Sequence, residues 1–218
     1  MFAQDCIETS IPFVKPKDTI HFVLDLMQEF KTDRLAVVEN EQYLATVSEN
    51  SLLEMDDENT LEPILEYAQT DKLTEDMHLF DVLKKCNDVN SYTMPVVTID
   101  NTYIGITSPE KILHQFTAMS ALSATGGILL LEMEAKNYSL TEISRIVESN
   151  NGMILQTMLS TQPNHSLRVS IKVNKVDLKE IQATFERYNY NVIAVYHQSA
   201  FEYQLQERYD SLMRYLDV

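Results

Sequence analysis

Two stretches of this chain say nearly the same thing. "RLAVVENEQYLATVSENSLL" (34–53) and "TMPVVTIDNTYIGITSPEKIL" (93–113) each hold a Val-Val pair, a polar turn, a tyrosine opening the next run, a small residue, then a serine and an apolar pair. Val37-Val38 matches Val96-Val97; past a turn one residue longer in the second copy, Tyr43, Ala45, Ser48, Ser51 and Leu52 match Tyr103, Gly105, Ser108, Lys111 and Ile112. Two β-rich runs around a short polar turn predict a hairpin. An amphipathic helix precedes each one. Ile20, Val23, Leu24, Met27 and Phe30 recur at helical spacing, and Leu79, Val82, Leu83 and Cys86 repeat the start of that stripe. Both stripes read as core packed on the hairpin's sheet, with Asp18 as the N-cap of the first helix. Two copies about 60 residues apart are too few for a solenoid. They predict a pseudo-symmetric pair in which each copy buries an apolar sheet face against the other.

The second half has a different rhythm. The helix after Ser108 runs to about Met119, and "SALSATGG" (120–127), small and aperiodic, reads as a linker. Then come a strand (128–135), a helix (139–150) with Leu140, Ile143, Ile146 and Val147 on one face, and strands at 153–162 and 166–174 around a Pro163-Asn164 turn. A helix at 176–189 with Ile181, Phe185 and Tyr188 on one face and a strand at 190–198 complete the series. Ser139 and Glu142 have capping-box spacing, and Asn150-Asn151-Gly152 stops that helix. The order β-α-β-β-α-β is the ferredoxin-like unit. "FEYQLQERYDSLMRYLDV" (201–218) repeats Phe201, Leu205, Tyr209, Leu212 and Leu216 as one stripe, so 199–218 is expected to be a C-terminal helix packed on its own domain or at a subunit interface.

Charge narrows the partners. The net charge is −16, and residues 1–120 hold 22 acidic side chains against 8 basic ones. Such a half repels nucleic acid, whose binding rests on Lys and Arg neutralising phosphates, and disfavours an anionic membrane surface. No apolar run approaches the roughly 18–20 residues of a membrane span, and the acidic "MFAQDCIETS" lacks the basic start of a signal peptide. Cys6 and Cys86 have neither CxxC nor metal spacing. A cytoplasmic protein with reduced thiols is expected. His21, His78, His114, His165 and His197 are scattered, and the chain has no P-loop, G-x-S-x-G or G-x-G-x-x-G and only four glycines. Asp56-Asp57 sit in what reads as a solvated connector. No catalytic constellation and no metal site is expected.

The repeated order of helix, x-P-V-V, short turn, small residue, Ser and apolar pair resembles the CBS domain, which works as a tandem pair. The resemblance covers about residues 5–118, with Met94-Pro95-Val96-Val97 and Gly105 carrying it most closely. The second half, above all "SLTEISRIVESNNGMIL", is similar to the ACT domain, a regulatory fold that often binds amino acids at the loop between its first strand and first helix. The order of the two resembles CBS–ACT proteins of the acetoin-utilisation type. The expected fold is therefore mixed α+β: a CBS pair with pseudo-two-fold symmetry over 1–119 (about 5–65 and 66–119), a linker at 120–127, and a ferredoxin-like βαββαβ ACT-like domain over 128–198.

The resemblance also implies sites. CBS pairs hold adenine nucleotides in the cleft between copies, so Ser48, Ser51, Pro95, Ser108 and Lys111 are the candidate ligand residues, and AMP, ADP, ATP or S-adenosylmethionine the candidate ligands. In the family an Asp three residues after the serine receives the ribose hydroxyls; Ser51 and Lys111 stand there. A helix N-terminus suits anions, whereas lysine only donates. Lys111 reads as a solvated or ion-paired surface residue, an anion contact, or a partner contact. Ser48 and Ser108 read equally as helix N-caps. In the ACT-like loop, Asn137, Tyr138, Ser139 and Leu140 read as a ligand site or a dimer contact. The implied function is a non-catalytic ligand sensor, a homodimer with a protein partner still to be named; the alternative is an interaction scaffold without ligand.

Overall fold

The computed structural model describes residues 1–55 and 59–196. The expected helix at 199–218, His197 and the Asp56-Asp57 connector lie outside them. Contacts divide the chain into two units, Met1–Met119 and Ser120–Val218. The first contains β1 (Ile7–Glu8), α1 (Ile20–Phe30), β2 (Arg34–Glu39), β3 (Gln42–Ser48), α2 (Glu49–Leu52), β4 (Leu73–Thr74), α3 (Leu79–Asp88), β5 (Pro95–Val97), β6 (Tyr103–Thr107) and α4 (Pro109–Met119).

The two hairpins are the same object. In β2–β3 Val37 lies opposite Ala45 and Val38 opposite Tyr43, with a bulge between Val37 and Val38. In β5–β6 Val96 lies opposite Gly105 and Val97 opposite Tyr103, with a bulge between Val96 and Val97. A bulge leaves one residue unpaired and bends its strand, so an identical bulge fixes the same register twice. The likeness reaches back into the lead-in: Thr32 Oγ1 donates to the Arg34 carbonyl at 3.0 Å, and Ser91 Oγ donates to the Thr93 carbonyl at 3.2 Å.

Each hairpin borrows from the other copy. The β5–β6 hairpin is flanked by β4 in parallel and by β1 antiparallel, in the order β1-β6-β5-β4. The β2–β3 hairpin is flanked likewise, by Val14 in a parallel bridge to Val37 and by Gln69 in an antiparallel bridge to Thr46. Val14 and β4 belong to each copy's own lead segment; β1 and Gln69 belong to the other's. The turns also join: the Tyr43 N–H donates to the Asn101 carbonyl, the Tyr103 N–H to the Glu41 carbonyl, and Asn101 Nδ2 to the Tyr43 carbonyl at 2.8 Å. Ala36, Val38, Tyr43 and Val97 pack together at this seam with Tyr103 against them. The helices bury the expected stripes: Ile20, Val23 and Met27 on α1, and Leu79, Val82 and Cys86 on α3. Leu24, Phe30 and Leu83 are only half-buried. The N-cap of α1 is Thr19, not Asp18: Thr19 Oγ1 accepts the Phe22 N–H at 3.3 Å, while the Asp18 carboxylate accepts the Lys15 N–H at 2.7 Å. The earlier turn takes the carboxylate, and the next residue caps.

The second unit contains β7 (Gly127–Glu134), α5 (Leu140–Ser149), β8 (Ile154–Thr161), β9 (Ser166–Val173), α6 (Lys179–Arg187) and β10 (Asn191–Tyr196). Its sheet runs β10-β7-β9-β8, every neighbour antiparallel. Leu129, Leu131, Val169, Ile171 and Val173 on one sheet face pack with Ile143, Ile146 and Val147 of α5 and Ile181 and Phe185 of α6. Two expected core residues fall outside: Leu140 is 49% exposed and Tyr188 is 46% exposed. Both sit at helix ends, where the stripe runs off the sheet. The capping box of α5 is half made. Ser139 Oγ accepts the Glu142 N–H at 3.3 Å, but the Glu142 carboxylate takes the Tyr190 hydroxyl at 2.7 Å instead. The expected linker begins with a short helical turn, Ala121–Ser123, held by Ala121 N–H to Gln156 Oε1 at 3.1 Å and Lys172 Nζ to the Leu122 carbonyl at 2.9 Å.

Gly105 shows what the exchanged lead strand demands. A Cβ there would stand 2.4 Å from Ile7 Cγ2 of β1, whereas the matching Ala45 is accommodated and buried. Gly105→Ala is expected to destabilise the first unit by about 1–3 kcal/mol, the usual cost of overpacking. Urea unfolding followed by tyrosine fluorescence checks it; an unchanged midpoint would mean that β1 is not held on β6.

Candidate functional site

Where the two copies meet, near the start of α4, there is a cleft of about 390 Å³. The first copy supplies Phe30, Lys31, Thr32 and Asp33 from the end of α1 and its exit. The second supplies Thr93 before β5 and Ser108 to Glu110 at the start of α4. The exchanged lead segment supplies Glu8, Ser10 and Ile11. α1 ends at Lys31 in the left-handed conformation (φ 52°), a turn that brings Thr32 and Asp33 to the cleft wall.

Ser108 lines this cleft, and it is also the helix cap: its Oγ accepts the Lys111 N–H at 3.2 Å. Lys111 takes the ion-paired reading, with Nζ 3.8 Å from Glu8 Oε2. Glu8 is held below the usual carboxylate range, first by the Ser10 N–H at 3.1 Å, then by the Ser10 hydroxyl at 2.9 Å, with Lys111 adding less. Among the lining residues Glu8, Asp33 and Glu110 face a single cation, Lys31. Pro95 is buried in β5 and does not line the cleft.

Ser48 and Ser51 sit at the matching corner of the first copy and bond to each other. The Ser48 and Ser51 hydroxyls are 3.1 Å apart, and Ser51 Oγ donates to the Ser48 carbonyl at 2.7 Å. Arg34, the counterpart of Thr93, crosses that corner: its Nη1 donates to Gln69 Oε1. One corner is spanned by a long side chain, the other left open by a short one. Tyr43 and Tyr103 diverge in the same sense. The Tyr43 hydroxyl meets Thr46 Oγ1 at 2.9 Å and donates to the Asp71 carbonyl at 3.2 Å; desolvation pushes it up to about 12. Tyr103, opposite Val97, has a buried hydroxyl with no partner among the described residues, and burial raises it further. Cys6 and Cys86 are both buried, and desolvation raises both thiols, which makes them core rather than nucleophiles.

The four loop residues of the second unit separate. Asn137 lines a cavity at the end of β7. Tyr138 packs against the core, Ser139 caps α5, and Leu140 is exposed. Sequence reasoning missed Thr93, Thr32 and Glu8. The Thr32–Arg34 and Ser91–Thr93 hooks were a readable signal, since both place a hydroxyl two residues before the repeat begins. Glu8 had none, because its place depends on strand exchange. Among the described residues no helix is long and apolar enough to cross a membrane, and no group of three or more His, Cys, Asp or Glu could hold a metal ion.

A depressed carboxyl stabilises the fold above its unfolded pKa, and that contribution is lost as pH falls through its folded value. Ser10→Ala removes the hydroxyl bond that helps to depress Glu8. Its carboxyl should then titrate at higher pH by NMR, and acid unfolding should begin at higher pH. An unmoved Glu8 resonance would show that Ser10 does not hold it.

Comparisons with known proteins bear on this unit. The model of the CBS domain matches residues 3–58. A CBS domain pair/ACT domain protein from Thermotoga maritima is 17% identical with a TM-score of 0.50, over 55% of this chain and 100% of that one. CBSX2, solved in complex with AMP, is 18% identical with a TM-score of 0.49, over 54% and 97%. A CBS domain pair solved with 5′-methylthioadenosine and S-adenosyl-L-methionine is 17% identical with a TM-score of 0.45, over 54% and 97%. At such identities the first of these likenesses is one of fold. Residues 3–58 thus match a CBS domain, and the chain is a mixed α+β protein of which about half shares its fold with a CBS domain pair.

Proposed function

We propose that this protein is a non-catalytic, cytoplasmic ligand sensor whose cleft beside Ser108 takes an adenosine-class small molecule. One observation carries the reading: the cleft is walled by both copies at once, so an occupant bridges them. Ile11 and Phe30 offer apolar surface for a base, and Ser10, Thr32, Thr93 and Ser108 offer hydroxyls for a sugar. Three carboxylates against Lys31 and the Glu8-paired Lys111 favour a ligand with little negative charge. S-adenosylmethionine, with its sulfonium, fits that field better than ADP or ATP; AMP lies between. Ligand acts on the equilibrium only through a difference in affinity between two arrangements of the copies. The route outward is covalent: α4 starts at the cleft and runs to Met119, and the second unit begins at Ser120. Action on a partner protein as a homodimer belongs to the same reading.

A scaffold without ligand is the second reading. It is favoured by the Arg34–Gln69 bond and the Lys111–Glu8 pair, which tie up polar groups at both helix starts. Thr93→Arg separates the two, because it copies into the open corner the residue that spans the other. In a thermal-shift series with AMP, ADP, ATP and S-adenosylmethionine, a ligand at 100 times its Kd adds about 2.7 kcal/mol. The sensor reading expects S-adenosylmethionine to raise the native protein's Tm and to leave Thr93→Arg unmoved. No shift from any of the four would overturn it in favour of the scaffold, and equal shifts in both proteins would overturn it by placing the ligand outside this cleft.

A further inference from the structure

The second unit has a cavity of about 470 Å³ at the end of its sheet where β7 leaves and β10 enters. Its walls come from four places: Glu132 and Met133 on β7, Asn137 in the turn after it, Glu142 on α5, and the run Tyr188-Asn189-Tyr190-Asn191 between α6 and β10. The fold accounts for only part of this run. Asn189 takes the left-handed turn (φ 62°), and Tyr190 packs edge-on to Phe185 at 5.4 Å while its hydroxyl fixes Glu142. Tyr188 is left out of the core, at the rim.

Among the described residues no cationic side chain lines the cavity. Glu132 Oε1 accepts the Ser166 hydroxyl at 2.8 Å and stands 3.6 Å from Arg168 Nε. Glu142 Oε1 stands 3.9 Å from Arg145 Nη2; the Arg145 side chain lies largely in water and that of Glu142 only partly, which screens the pair in part. The space therefore presents carboxylates on two walls, carboxamides that both donate and accept, and two phenol rings with Met133 between polar ends. Carboxylates and aromatic faces together attract an organic cation with an apolar body. A metal ion is a poor occupant: two carboxylates make no cage, and no wider cluster of metal-ligating side chains is present among the described residues.

We propose that this cavity binds a small aliphatic amine in its ammonium form, a diamine or polyamine whose charged ends meet Glu132 and Glu142 and whose methylenes lie along Tyr188 and Tyr190. The proposal is independent of the cleft in the first unit. The test is calorimetric titration of the full chain with putrescine and spermidine, against sodium chloride at matched ionic strength and magnesium chloride at matched charge. Saturable amine binding is expected. Glu132→Gln, which keeps the shape, should weaken it at least tenfold, and Tyr188→Ser, at an exposed site, should weaken it as well. Glu186→Gln, an exposed carboxylate on α6 outside the cavity, should leave it unchanged. Absence of saturable binding, equal weakening by Glu132→Gln and Glu186→Gln, or displacement of the amine by equimolar magnesium would each overturn the proposal.

Discussion

The first unit depends on an exchange of strands. Each hairpin is too short to stand alone, and an isolated two-stranded hairpin is marginal in water. Both find a parallel neighbour in their own lead segment and an antiparallel neighbour in the other copy's. The seam of Ala36, Val38, Tyr43 and Val97 then becomes the inside of one body rather than a contact between two. The cleft at Ser108 follows from this arrangement, since Glu8 reaches it only because β1 lies on β6.

Identical backbones have been given different corners. The bulges, the hydroxyl hooks and the serine caps repeat. The side chains at the corners do not: Arg34 stands for Thr93 and Ser51 for Lys111. Backbone symmetry is set by hydrogen bonding, which tolerates almost any outward residue; the corners are set by length and charge, which can change without cost to the sheet. One unit thus offers two unlike sites on one frame.

Much of the frame was legible. A Val-Val pair, a polar turn and a tyrosine at fixed spacing sufficed to place both hairpins, and the alternation of 3.6- and 2-residue periods placed the βαββαβ unit to within a few residues. Failures came where local pattern competes with local chemistry. Asp18 looked like a cap, but a tighter turn claimed it. Glu142 looked like half of a capping box, but Tyr190 claimed its carboxylate. Tyr188 continued a stripe that had already left the sheet. Of the cleft, Ser108 was visible because it belongs to the repeat; Glu8 was not, because sequence distance says nothing of which strand will lie on which.

The borrowed strand has a bearing on how such a unit can be divided. Glu8 and Ser10 are encoded at the start of the first copy, yet they furnish the second copy's cleft. A recombination that moved residues 66–119 as a self-contained cassette would carry Thr93 and Ser108 and leave that wall behind. The inherited unit is accordingly the interlocked pair. Divergence between its copies proceeds inside a single heritable block, where one half is free to specialise while the other keeps the frame.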